Sequence, residues 1–396
     1  MSHIKLIKNN ITVRKVWYNQ LLTGFGSWFS NVAIYTLLID FKVSPIVISI
    51  FAALHLLPGV IQAPISGPIV DRVETKRLFY IILSVEFMAT LLFLTVRDID
   101  GIILLAILVF IKMSGASLYF NAEMSIIPSI TTKDELIVAN DLFAVSWSLM
   151  FVFGMAIGGV VVNYFGTDTA FILDGLMFIL ALINLKTINI PQKTYVLVES
   201  FFELIKDGII YIKNHKQIIH IFIIHSTVGF TAFDSLVALL SKNYTILAIP
   251  LAIGYLNASR AIGLVLGPII FTKYIDKEKL LYYLFLAQAV SIMFWGYFNT
   301  NFYISMVGIA LTGLFTSPIW SITYSMLQNA TEDRYRGRVV AYNDMLFLLS
   351  NILTSLFIGY FADLGFGLDI ITYTLGFMFI ISFFYYRYFF RNRNEI

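Results

Sequence analysis

Two basic residues lie inside apolar stretches, where a cation is costly to keep. Lys112 falls in the middle of the run 101–122, and Arg260 in the middle of the run 247–272. A charge in such an environment persists where it binds a substrate, an ion or another charge. Arg also stays protonated and can form two parallel hydrogen bonds to a carboxylate or phosphate. Both residues are therefore candidates for binding an acidic substrate group, and permanent pairing inside the protein is the alternative for each.

Three titratable residues in apolar runs are candidates for carrying a proton. Asp234 is flanked by Phe rings, an environment that suits reversible protonation, and it is the leading candidate. Glu86 lies at the predicted depth of Lys112, about 15 Å from the outer end of its helix. The matching depths allow an ion pair between the two, which would be either structural or would release Lys112 when Glu86 is protonated. His225 is the third candidate, and a hydrogen-bonded interior histidine is its alternative.

Arg260 and Asp234 are a second possible pair. On continuous helices they differ in depth by about 11 Å, so direct contact requires helix tilt or an intermediary. Asp174, near the outer end of another apolar run, is expected to be structural. Apolar walls with a few polar groups suit amphipathic ligands, and the candidates for such a wall are Gln20, Asn31, Tyr35, Phe230, Phe233, Trp320 and Tyr324. With 36 Phe and 22 Tyr in the chain, packing is the alternative for each aromatic residue.

The elements that position these residues are predicted to be membrane-spanning helices. The chain is 59% hydrophobic and 13% charged, whereas soluble domains carry about 25% charged residues. Spanning requires about 20 apolar residues. That length predicts an all-α integral membrane protein with twelve transmembrane helices, at 16–39, 44–70, 78–96, 101–122, 136–163, 168–187, 217–240, 247–272, 279–298, 302–326, 338–362 and 367–386. The first run is too long for a cleavable signal peptide.

The basic residues are distributed on one side of these segments. Of 27 Lys and Arg, 22 fall in the termini and even-numbered connections, three in the odd-numbered connections, and two inside helices. Positive residues are retained on the cytoplasmic side. This predicts a multi-pass protein of the plasma (inner) membrane with both termini in the cytoplasm. The chain has no cysteine, which excludes disulfides and thiolate metal sites.

The two halves of the sequence resemble each other. Ser66-Gly-Pro-Ile-Val70 recurs as Leu266-Gly-Pro-Ile-Ile270, and Asn140-Asp141 recurs as Asn343-Asp344. Duplicated helical units are common in secondary transporters. We therefore predict two pseudo-symmetric six-helix bundles, at 1–187 and 217–396, joined by a cytoplasmic linker at 188–216.

Two loop motifs resemble those of the major facilitator superfamily. The first runs from Gly67 to Leu78, and the second, Arg336-Gly337-Arg338-Val339, is similar to that of a subgroup of macrolide-efflux-like and enterobactin-exporter-like proteins. The resemblance implies a twelve-helix transporter of the rocker-switch type that couples export to proton entry. It also implies that Asp71 latches onto the start of the eleventh helix and that Gly67 permits close approach of helices two and eleven. The residues of this expected cytoplasmic gate are Gly67, Asp71, Arg72, Lys76, Arg77, Arg336, Gly337 and Arg338.

The resulting functional prediction is proton-coupled export of small amphipathic organic molecules. The alternatives are export of a carboxylate-bearing metallophore, a lysolipid or lipid flippase, and a nutrient importer. Motifs of intramembrane enzymes and of a potassium-type channel filter are absent from the sequence, so an enzyme or channel is not expected. We expect no cofactor or metal, a proton gradient as the energy source, a small-molecule substrate, contact with the bilayer, no nucleic acid and a monomer.

Overall fold

The computed structural model describes residues 2–190, 201–271, 277–332 and 334–392; the side chains of Pro68, Asp71, 201–205, 277–278 and 390–392 lie outside that description. All of its longer elements are helical. They are α1 (His3–Asn9), α2 (Ile11–Asp40), α3 (Pro45–Gln62), α4 (Ser66–Arg72), α5 (Thr75–Phe93), α6 (Ile102–Ile130), α7 (Lys133–Lys186), α8 (Phe201–Asn214), α9 (Lys216–Ser226), α10 (Asp234–Ser241), α11 (Ile249–Phe271), α12 (Lys277–Tyr297), α13 (Phe302–Asn329), α14 (Arg336–Asp363) and α15 (Leu368–Asn392). Short 3₁₀ turns cover Ile99–Gly101 and Thr227–Thr231.

Local sequence signals fix where several helices begin. At α7, the Thr132 side chain accepts a hydrogen bond from Glu135 N, and the Glu135 side chain accepts one from Thr132 N. This reciprocal capping satisfies two backbone donors that a helix start otherwise leaves free. Asn301 caps α13 through a bond from Ile304 N at 3.1 Å. Polar residues between apolar runs therefore position the helices that follow them.

The 54 residues of α7 contain a break at Gly166, whose φ of 84° is accessible to glycine. Thus α7 consists of two segments, in agreement with the predicted helices at 136–163 and 168–187. Three other predicted segments differ from the observed helices. The predicted second helix ends at Gln62 and resumes as α4. The predicted seventh helix is interrupted between α9 and α10 by the 3₁₀ turn Thr227–Thr231, and the linker contains a helix of its own, α8.

The first of two compact units comprises Met1–Val43, Ile65–Val196 and Leu247–Ala258. Here α2 packs along α7, and α5 packs on both α6 and α7. Glycines permit one close helix contact, because a Cβ at Gly159 would lie 2.6 Å from the Pro250 carbonyl oxygen. One apolar core cluster of this unit includes Leu83, Ile126 and Phe178.

The second unit comprises Ser44–Pro64, Leu197–Ile246 and Ser259–Ile396. In it α3 packs along α14, and α12 packs on α13 and α15. Gly359 faces Ser49 and the Pro45 carbonyl group with no room for a side chain. The bundle boundaries at 187 and 217 stay a prediction from the internal repeat.

Within the described residues, ten helical segments are long and apolar enough to cross a membrane, and one of them, Lys216–Ser241, includes α9, the 3₁₀ turn and α10. Lys133–Lys186 counts once among the ten, and Thr75–Phe93 is not among them. The chain is therefore a multi-pass, all-helical membrane protein, and the number of twelve spans stays a prediction.

Candidate functional site

Lys112 on α6 lies in a buried ionic cluster of the first unit. Its Nζ pairs with Asp174 Oδ2 on α7 and donates to Thr90 Oγ1 on α5 at 3.0 Å. Ser30 Oγ on α2 donates to the same Asp174 oxygen. The ammonium group also lies 5.1 Å from the ring centroid of Phe178. Groups from four helices thus surround one cation, and its side chain is only 4% exposed.

The ion pair between Lys112 and Glu86 that their depths allow is not formed, because the partner of Lys112 is Asp174. Gly166 restarts α7, so Asp174 lies about 10 Å from the start of the second segment, against about 15 Å for Lys112 from the start of α6. The long lysine side chain covers the difference. Gly26 leaves the space for Asp174, since a Cβ there would overlap the carboxylate.

Glu86 on α5 is buried beside this pair. Its side chain packs against α6 at Gly115, where a Cβ would lie 2.7 Å from Glu86 Cγ. It experiences the charges of both Lys112 and Asp174. Among the described residues no Lys or Arg lies within 4.0 Å of its carboxylate. With all three groups ionised, this cluster carries one uncompensated negative charge.

Arg260 on α11 lies in a second cluster, at the interruption between α9 and α10. Its Nη2 donates to the Thr231 carbonyl oxygen at 2.7 Å, and its Nη1 lies 3.6 Å from Asp234 Oδ1. The guanidinium group lies over the Phe233 ring, 5.4 Å from the centroid. The Thr231 carbonyl oxygen, which also accepts from Phe233 N, and the Asp234 carboxylate thus share one cation.

Arg260 and Asp234 face each other directly, without the intermediary that was one of the two alternatives. The predicted difference in depth assumed a continuous seventh helix, whereas Asp234 is the first residue of the separate helix α10. Phe233 is fully buried, 5.0 Å from Trp295 between ring centroids, and Phe230 packs edge-on against Phe379 at 6.0 Å. Phe233 therefore packs in the interior of its unit.

His225 lies at the centre of an aromatic group in the second unit. Its Nδ1 forms a 2.8 Å hydrogen bond with Thr323 Oγ1, while its buried Nε2 has no hydrogen-bond partner. Trp320 and Tyr324 stack at 4.7 Å, and their ring centroids lie 5.9 and 5.8 Å from that of His225. Three candidates from two predicted helices are thus brought together, with Trp320 still partly exposed.

On α2 the three polar candidates have different surroundings. Tyr35 is buried and Asn31 partly buried. Gln20 is buried, and its Nε2 donates to Glu123 Oε2 on α6 at 3.4 Å. Glu123 was not among the residues selected from the sequence. The available signal was its spacing: Glu123 follows Lys112 by eleven residues, and at 100° per residue the two share one face of α6.

In the first gate motif, Lys76 contacts the carboxyl end of α7. Lys76 Nζ donates to the carbonyl oxygens of Lys186 and Ile188 at the end of α7, and Lys15 Nζ donates to that of Thr187. Cations at a helix carboxyl end are favoured by its dipole. Arg72 and Arg77 are exposed, and the Asp71 side chain lies outside the described residues.

A Cβ at Gly67 would meet no atom of the described residues within 4 Å, and the role of Gly67 in the gate stays a prediction. The close approach of α3 to α14 occurs at Gly359.

The second gate motif contacts the linker helix α8. Arg338 Nη1 lies 3.9 Å from Asp207 Oδ2, and the Arg338 guanidinium group lies 5.7 Å from the Tyr335 ring centroid. Tyr335 stacks on Tyr211 of α8 at 4.1 Å. Arg336 is exposed, and a Cβ at Gly337 would meet nothing within 4 Å. This motif therefore attaches α8 to the start of α14.

A family model described as transmembrane secretion effector matches residues 7–366. The chain belongs to this family of major facilitator transporters. Macrolide efflux protein A of Streptococcus pyogenes is 20% identical over 362 residues, which cover 88% of each chain. The MFS-type transporter YkuC of Bacillus subtilis is 25% identical over 189 residues, covering 48% of this chain and 44% of the relative. The family consists of membrane transporters and not of enzymes.

Solved structures share the fold. The nucleoside transporter NupG superposes with a TM-score of 0.75 at 11% identity, covering 96% of this chain and 98% of that one. An inward-facing bacterial homologue of the lysosomal transporter Spinster gives 0.71 at 13% identity, covering 95% of each. The POT family transporter PepTSo gives 0.75 at 9% identity, covering 98% of this chain and 99% of that one. These similarities establish the major facilitator fold.

Proposed function

We propose that this transporter exports small amphipathic organic molecules by alternating access, driven by proton entry. The observation that carries the proposal is the cluster of Glu86, Lys112 and Asp174 inside membrane helices, which has one negative charge more than positive ones. Export is supported by the name of its relative, an efflux protein. No cofactor is needed, and one chain is the transporting unit.

The plasma membrane is the proposed location, with both termini in the cytoplasm. The support is the concentration of Lys and Arg in the termini and even-numbered connections.

The pairing of both buried cations disfavours an acidic substrate. The case for a carboxylate-bearing metallophore depended on Lys112 and Arg260 being free to bind it. Lys112 has Asp174, and Arg260 has Asp234 and the Thr231 carbonyl oxygen. A substrate carboxylate would have to displace these partners, which costs more than binding to a free cation.

Glu86 is the proposed proton carrier. It is buried without an ion-pair partner of its own, and a proton removes the excess charge from low dielectric. Asp234 is the second candidate; it is 45% exposed and already faces Arg260. Protonation of Asp234 would weaken its contact with Arg260, whereas protonation of Glu86 leaves the pair of Lys112 and Asp174 intact.

The first prediction tests this assignment in proteoliposomes with an imposed pH gradient. The probe is N-acetylated monodansylcadaverine, a neutral fluorescent amphiphile. Glu86→Gln should lower gradient-driven flux by at least about tenfold, the equivalent of ~1.4 kcal/mol, while equilibrium binding of the probe is retained. Asp134→Asn, at an exposed carboxylate, is the matched control and should transport normally.

Asp234→Asn is tested in parallel. Loss of flux in this variant alone would show that Asp234, which faces Arg260, carries the proton and that Glu86 does not. Absence of gradient-driven flux in the unaltered protein, across macrolides and dansyl amphiphiles, would contradict proton-coupled export itself.

A further inference from the structure

Glu123 and Gln20 face each other across two helices of the first unit. Gln20 lies on α2 and Glu123 on α6, and the Gln20 amide nitrogen is 3.4 Å from Glu123 Oε2. Both side chains are more than nine-tenths buried. Tyr119, one turn before Glu123, lies beside Asn19, the neighbour of Gln20 in sequence. The two helices therefore share a buried polar contact.

Two oxygen acceptors in this contact have no partner. Glu123 Oε1 and Gln20 Oε1 are buried and accept no hydrogen bond from the part of the chain that the structure describes. Among the described residues no Lys, Arg or His forms an ion pair with Glu123, unlike Asp174 and Asp234, which face Lys112 and Arg260. A buried carboxylate without donors is expensive. This contact therefore lacks a hydrogen-bond donor for its two free oxygens, and a cationic donor would also balance the charge of the carboxylate.

The position of this contact suits a ligand. Within the unit, α2 packs along α7 and α6 packs along α5, so Gln20 and Glu123 lie at the seam between two helix pairs. Glu123 lies about 10 Å from the end of α6 at 1.5 Å per residue, on the predicted cytoplasmic side of Lys112. An exported molecule that enters from the cytoplasm would reach this end of the helices first.

We propose that Glu123 and Gln20 bind the protonated amine of the exported substrate, so that cationic amphipathic amines are preferred over their neutral analogues. This inference rests on the proposed export function. An ammonium group supplies up to three donors and no acceptor, which matches one carboxylate and one amide oxygen.

A metal ion fits this contact less well. Among the described residues, no group of three His, Cys, Asp or Glu side chains is arranged to hold one. Hard cations such as Ca²⁺ take about six to eight oxygen ligands, whereas Glu123 and Gln20 together offer three oxygens. The chemistry therefore favours an organic ammonium group.

The second prediction compares two probes that differ in one charge. Monodansylcadaverine has a protonated primary amine, and its N-acetylated form has the same dansyl group without the charge. In the purified full-length protein, Glu123→Gln should weaken fluorescence-detected binding of the amine by at least tenfold and leave binding of the acetylated probe unchanged. Gln20→Leu removes one acceptor without changing charge and should weaken the amine alone, by a smaller factor.

Controls separate this inference from the proposed function. Asp134→Asn makes the same carboxylate-to-amide change at an exposed position and should bind both probes normally. Binding of the acetylated probe reports that each variant is folded. If Glu123→Gln weakens both probes equally, or neither, the amine site is refuted. Should Glu123→Gln fail to fold, equal effects of Gln20→Leu on both probes refute it instead. Proton-driven flux of the acetylated probe in the unaltered protein tests the proposed function independently.

Discussion

At the scale of single residues, the buried charges of this transporter fall into two classes. Lys112 and Arg260 have carboxylate partners and additional hydrogen bonds, so their charges are compensated inside the protein. Glu86 and Glu123 are buried carboxylates without an ion-pair partner among the described residues. Compensated charges maintain structure, whereas uncompensated ones remain available for a proton or a ligand. The mechanism proposed above assigns the proton to Glu86 and the ligand to Glu123.

The third prediction measures the cost of breaking a compensated pair. Lys112→Ala strands the Asp174 carboxylate, so we expect a loss of about 3–5 kcal/mol in stability. The double variant Lys112→Ala with Asp174→Ala strands no charge and should be more stable than either single variant. Thermal unfolding in detergent, followed by tryptophan fluorescence, provides the comparison. The exposed pair of Arg97 and Asp168 is the control, and Arg97→Ala should cost only about 0–1 kcal/mol. A double variant less stable than both single variants would show that the pair is not a charge-compensating unit.

At the scale of elements, the interruption of the predicted seventh helix is the main departure from regular structure. Thr227–Thr231 forms a 3₁₀ turn. The backbone N–H of Phe233 donates to the carbonyl oxygen of Thr231, only two residues earlier. Arg260 supplies a second, charged donor to the same Thr231 carbonyl oxygen. Arg260 thus stabilises the arrangement of α9 and α10, in addition to facing Asp234.

The fourth prediction follows from this contact. Arg260→Ala removes a charged hydrogen bond worth about 1.5–3 kcal/mol, so amides of residues 229–237 should exchange hydrogen roughly ten- to hundredfold faster. Arg260→Lys keeps the charge but cannot contact Thr231 and Asp234 with a planar fork, so its effect should be intermediate. Hydrogen exchange with mass spectrometry detects the change, and Arg97→Ala is the control. Unchanged exchange in this segment would mean that Arg260 does not stabilise the interruption.

The sequence predicted the helical segments better than their interruptions, for a physical reason. The thickness of the bilayer sets how many apolar residues a spanning helix needs, and ten described helical segments have that length. The residues from Thr227 to Phe233 are as apolar as a continuous helix would be, so their interruption leaves no compositional trace. The partner of Lys112 could not be predicted for another reason: Asp174 lies about 5 Å nearer the outer helix ends than Lys112, and the long lysine side chain bridges that difference. Depth along ideal helices gives candidates for pairing, and only tertiary structure selects among them.

At the scale of the whole molecule, orientation in the membrane determines what the two buried carboxylates can do. Glu123 is proposed to meet substrate from the cytoplasm, which requires the termini and even-numbered connections to be cytoplasmic. The support is the distribution of basic residues, with 22 of 27 on that side. In the opposite orientation, the same seam would receive molecules from outside, and the chain would be suited to import.

The fifth prediction tests that orientation with single cysteines, for which the chain provides a cysteine-free background. Asp98→Cys, in the connection between α5 and α6, should react with a membrane-impermeant maleimide added to intact cells. Ser2→Cys and Asn214→Cys, on the predicted cytoplasmic side, should react only after the membrane is permeabilised. All three positions are exposed, so differences in labelling report sidedness and not burial. Labelling of Ser2→Cys and Asp98→Cys from the same side would contradict the predicted topology. It would also remove the cytoplasmic entry on which the amine site depends.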